Sequence, residues 1–98
     1  MKKPQDIAAE HRRLAILQCL KEDADYRMND ALLQSVLKLV GESAPMHVLN
    51  ADIAWLEQLG LVAKELLPAC TMVVLRKEGL DVAEGLTVIP GIARPQPE

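Results

Sequence analysis

Two hydrophobic periods divide this chain. Up to Leu59 the apolar positions fall three and four apart, the spacing of helices with one buried face. After Gly60 they cluster in short β-branched runs. Asp6 to Glu22 reads as a first helix, with Ile16, Leu17 and Leu20 on one face and Asp6 as its cap. "EDADYRM", 22 to 28, breaks the pattern and reads as a loop. Asn29 is placed to cap a second helix whose apolar stripe is Leu32, Leu33, Val36, Leu37 and Val40, and Gly41 is placed to end it. Ser43 is the expected cap of a third helix running to Leu59. Its stripe is Leu49, Ile53 and Leu56, widened by Val48, Trp55 and Leu59, while His47, Asn50, Ala51, Ala54, Glu57 and Gln58 face away. Gly60 stops it. "LVAKELL" and "CTMVVLR" predict two strands joined at Pro68-Ala69, and Lys77 to Glu84 predicts a short fourth helix.

Three helices, a two-stranded hairpin and a short helix form the order of a winged helix: α+β, mainly helical, with a helix-turn-helix core. Residues 1–86 are expected to make that domain and 87–98 a proline-containing tail. Val88, Ile89 and Ile92 are apolar enough to dock on a surface, back on the domain or on a second copy, and Pro95 to Glu98 is expected to be disordered.

Composition narrows the class. Ninety-eight residues, half of them hydrophobic, suit one modest globular domain. Trp55 and Tyr26 are the only aromatics, so the core must be aliphatic. The net charge of −3 does not favour long-range attraction to phosphate. Cys19 and Cys70 are expected as buried, reduced thiols, and no His/Cys cluster suggests a metal. His11 and His47 read as surface or cap residues. No apolar run is long enough to span a membrane, and "MKKPQDIAAEHRR" lacks the apolar core of a signal peptide, so a cytoplasmic protein is expected. No catalytic residue, cofactor or metal ligand is assigned, and an enzyme is not expected.

Leu56-Glu57-Gln58-Leu59-Gly60-Leu61-Val62 resembles the end of the recognition helix in ArsR- and MarR-type regulators, whose pattern is L-x-x-x-G-L-V. "LRKEGLDVAEG", 75 to 85, resembles the start of the helix after their wing, with Arg76 where threonine is usual. Leu32-Leu33-Gln34, Ala54-Trp55-Leu56, Gly79-Leu80-Asp81-Val82-Ala83 and Ile89-Pro90-Gly91-Ile92-Ala93-Arg94-Pro95 together resemble the small winged-helix proteins of Mu-like prophages over most of the chain. That resemblance implies a phage origin. The regulators imply DNA contacts at Met46, His47, Asn50, Ala51 and Ala54, with Asp52 at the edge. Lys64 and Arg76 on the wing and Arg12 and Arg13 on the first helix are the candidate phosphate contacts.

The chemistry of the third helix pulls the other way. From Met46 to Leu59 it carries two acids and no lysine or arginine, and only Asn50 suits base reading. Two functions therefore compete, and the first is the one expected, because the wing and the first helix keep basic residues that a dimer can pool. One is a prophage transcriptional regulator binding double-stranded DNA as a homodimer. The other is a protein–protein module in phage assembly or packaging, with Trp55 as anchor. Trp55, packed under the hairpin or exposed to a partner, and Val88, Ile89 and Ile92 are the candidate partner or dimer contacts.

Overall fold

In the computed structural model, which describes residues 1–96, the chain order is α1 (Pro4–Glu22), β1 (Arg27–Asn29), α2 (Asp30–Leu39), α3 (Met46–Gln58), β2 (Val62–Leu66), β3 (Thr71–Leu75) and α4 (Lys77–Ala83). The three strands form one antiparallel sheet in the order β1-β3-β2. This α+β order is compatible with a winged helix.

α1 begins two residues before Asp6. Proline suits the first helical position, where its missing N–H has no partner to lose. Asp6 acts from the first turn instead, its carboxylate accepting the Lys3 N–H at 3.3 Å. α2 is capped as expected: the Asn29 Oδ1 accepts the Leu32 N–H at 2.8 Å. Pro45, not Ser43, stands at the cap position of α3. That helix ends in a Schellman turn. Gly60 at φ +75° lets Leu61 donate to the Leu56 carbonyl at 3.1 Å and Gly60 to Glu57 at 3.0 Å.

The main departure lies in "EDADYRM". Tyr26, at φ +57°, closes a tight turn there. Arg27–Asn29 then pairs with β3, Met28 opposite Val73. Only Met28 of the three is buried, so so short a strand carries no visible alternation.

α1 lies at the centre, against α2, α3, α4 and the sheet. Its Ile16, Leu17 and Leu20 are fully buried, with Leu33 and Leu37 of α2, Leu49, Ile53 and Leu56 of α3, and Val62 and Val73 of the sheet. The core is aliphatic, as the composition requires.

The tail folds back. Ile92 is buried, Ile89 packs half-buried on the core, and the Ala93 N–H donates to the Glu10 carbonyl of α1. Val88 stays exposed. Pro95, expected within a disordered end, sits beside Gly85. The same expectation for Pro97 and Glu98 falls outside the described residues.

Candidate interaction surface on the third helix and hairpin

α3 has two working faces. Its outward face presents His47, Asn50 and Ala51, all exposed, with Met46 half-buried against the core. A groove of about 290 Å³ runs from Asp30 of α2 past Asn50 and Ile53 to Lys64, Leu66 and Thr71 of the hairpin. Of the candidate DNA contacts, Met46, His47, Asn50 and Ala51 thus lie together, and Lys64 reaches the same groove. Arg76 does not. It precedes α4 and borders a separate hollow with Tyr26, Leu75 and Leu80.

The hairpin's charges are paired. Lys64 Nζ lies 3.5 Å from Glu57, whose carboxylate also accepts the Lys64 N–H. Arg27 reaches Glu65 at 2.8 Å, and Arg76 lies 4.0 Å from Glu78. Such exposed pairs are worth little energetically, but they dilute positive potential. The tip of the hairpin is apolar, with Leu66 82% and Leu67 45% exposed.

Arg12 and Arg13 do not join this surface. Both turn inward to Asp52, which is 4% exposed. Arg12 Nε bonds one carboxylate oxygen and Arg13 Nε the other, the latter at 3.3 Å. Arg13 also donates to the Gly91 carbonyl at 2.9 Å, and its guanidinium lies 4.2 Å from the centre of the Trp55 ring. This closes a clasp linking α1, α3 and the tail. Trp55 is half-buried between Arg13 and Gly91, rather than beneath the hairpin. Gly91 is required there: its φ is +96°, and a Cβ would sit 2.8 Å from the Trp55 ring.

Asp52 is the residue that sequence reading placed wrongly, at the edge of a groove-facing surface. Its signal was available. It lies three residues after Leu49 and four before Leu56, inside the apolar arc. A carboxylate there needs buried partners, and two arginines supply them.

Both cysteines are free. Cys19 is buried, and burial, with Glu22 nearby, pushes its thiol pKa up. Cys70, expected buried, is half-exposed beside the hairpin turn, where only Leu67–Ala69 lie between it and β2. Among the described residues no group of histidine, cysteine and carboxylate side chains is arranged to hold a metal, and no helix is long and apolar enough to cross a membrane.

No family model matches the sequence. Over 92 residues the chain is 38% identical to the uncharacterized protein gp26 of Escherichia phage Mu, which covers 94% of this chain and 95% of that protein. The chain belongs to the family of that Mu protein, in agreement with the phage origin its motifs imply.

Proposed function

We propose that this chain is a winged-helix protein of a Mu-like phage whose third helix and hairpin dock on another protein. The observation that carries this reading is the capture of Arg12 and Arg13 by Asp52. They are two of the four candidate phosphate contacts, Lys64 and Arg76 being the others. Without them the surface consists of His47, Asn50 and Ala51 beside an apolar hairpin tip, with Lys64 facing Glu57. A DNA-binding face needs several phosphate contacts, each a cation free to displace counterions. Protein surfaces instead use apolar anchors ringed by polar groups.

A second reading, a DNA-binding regulator, draws on the open groove itself. Asn50 would meet a base edge and Lys64 a phosphate.

A photo-reactive side chain installed at Asn50 in phage-producing cells separates the two. A protein adduct is expected, and a DNA adduct would overturn the docking reading. Anisotropy titration with random duplex DNA is the partner experiment. Weak, salt-insensitive binding is expected. Tight low-salt binding that Lys64→Glu with Arg76→Glu weakens and flattens would favour the regulator.

A further inference from the structure

A hollow of about 460 Å³ lies between α1 and α2. The sequence explains the space. The leucines and isoleucine of α1, Leu14, Ile16, Leu17 and Leu20, are spent on the core. On the side that borders the hollow, four residues apart, α1 carries only the small side chains Ala15 and Cys19. Val36 of α2, Val40 at its end and Met28 of β1 complete the apolar lining. The volume falls in the range of roughly 300–1,000 Å³ that small-molecule pockets occupy. Cys19 and Met28 add two polarizable sulfur atoms, which suit contact with an aromatic ring.

The charges around this lining differ in how far they are already used. Lys21 reaches Glu84 of α4 at 4.0 Å. Asp23 is engaged in its own turn, where its carboxylate accepts the Asp25 N–H at 2.9 Å and the Arg27 N–H at 3.3 Å. Glu22 has no ion pair among the described residues. It stands three residues after Cys19 and seven after Ala15, on the same face of α1. Its charge is felt within the hollow: with burial, it pushes the Cys19 thiol pKa up. An apolar pocket with one uncommitted carboxylate beside it matches an apolar molecule that carries a positive charge. An anion of the same shape would meet Glu22 and Asp23 unfavourably.

We propose that the α1–α2 hollow is a binding site for a small organic amine, its apolar body lying against Cys19, Met28 and Val36 and its ammonium group at the Glu22 carboxylate. The hollow shares no residue with the α3–hairpin groove, so the site stands or falls independently of the adduct at Asn50.

Titration of the isotope-labelled full chain with phenethylammonium, followed in proton–nitrogen correlation spectra, tests it. Saturable shifts centred on Ala15, Cys19, Met28 and Val36 are expected, with a Kd of about 1 mM or tighter. Phenylacetate keeps the ring and reverses the charge, and ethylammonium keeps the charge without the ring. Each is expected to bind about tenfold more weakly or worse. Glu22→Gln, at an exposed position, is expected to weaken phenethylammonium about threefold or more while the spectrum of the free protein keeps its dispersion. In a Cys70→Ser background phenethylammonium should also slow thiol labelling of Cys19. No saturable shift up to about 10 mM, binding of either control as tight as that of phenethylammonium, or indifference to Glu22→Gln overturns the proposal.

Discussion

The clasp and the outer face of α2 invert the usual relation between side-chain type and location. In the clasp, charged groups lie inside. Asp52 is buried and paired with two arginines, one of which lies over the Trp55 ring. On α2, Leu39 lies outside, 86% exposed. The charges that look like a binding surface hold the fold together. Leu39, a side chain of the core's own type, stays in water. The reason is energetic. A carboxylate taken from water must have partners, so its arginines are committed. An exposed leucine forgoes about 1.5–3 kcal/mol of burial, which a partner surface can recover.

The strongest way to break this contrast is Asp52→Ala. It leaves two half-buried guanidinium groups facing each other without their counter-ion, and about 3 kcal/mol of stability is expected to be lost, read from urea unfolding. The released arginines should also raise low-salt DNA binding. A variant as stable as the parent would make the clasp incidental.

Gly91→Ala acts on the tail end of the same clasp. A positive φ and a contact 2.8 Å from the Trp55 ring should cost about 1–3 kcal/mol and shift Trp55 fluorescence to the red. Unchanged emission would mean that the tail does not pack on the ring in solution. Leu39→Glu tests the opposite pole. Despite the severity of the substitution, stability of the monomer is expected to change by no more than about 0.5 kcal/mol, measured as a denaturation midpoint at low concentration.

The smallest effect belongs to Cys19. Its thiol pKa is raised above the ordinary value of 9.0, so the folded state holds that proton more tightly than the unfolded chain. The resulting stability is complete below the unfolded pKa and is lost as pH rises through the folded one. Cys19→Ser should therefore flatten the decline in stability above about pH 9. Thiol labelling of the native protein should reach half-exposed Cys70 before Cys19.

Much of the framework was legible. Asn29 announced the start of α2, and Gly60 announced the turn from α3 into the hairpin, because caps and left-handed residues act within a few positions of themselves. β1 was not legible, since three residues with one buried side chain are identified only by their partner in β3, over forty positions away. Asp52 was half legible. Its phase on the helix marked it as inward, but which cations would meet it depended on how α1 crosses α3. Trp55 was read correctly as lying at the edge of the apolar arc, yet its neighbours came from the tail rather than the hairpin.

By itself, then, the sequence determined an aliphatic α+β domain with its second helix started by Asn29, its second and third helices ended by Gly41 and Gly60, and an acidic third helix. These follow from side-chain periodicity and local backbone preference. Only the tertiary structure decided that Arg12 and Arg13 serve Asp52, that Gly91 and Ile92 close the tail over Trp55, and that Leu39 is left outside. Those outcomes are set by which faces of distant elements meet. A charge forty residues from its partner carries no local mark of whether it will face water or a carboxylate.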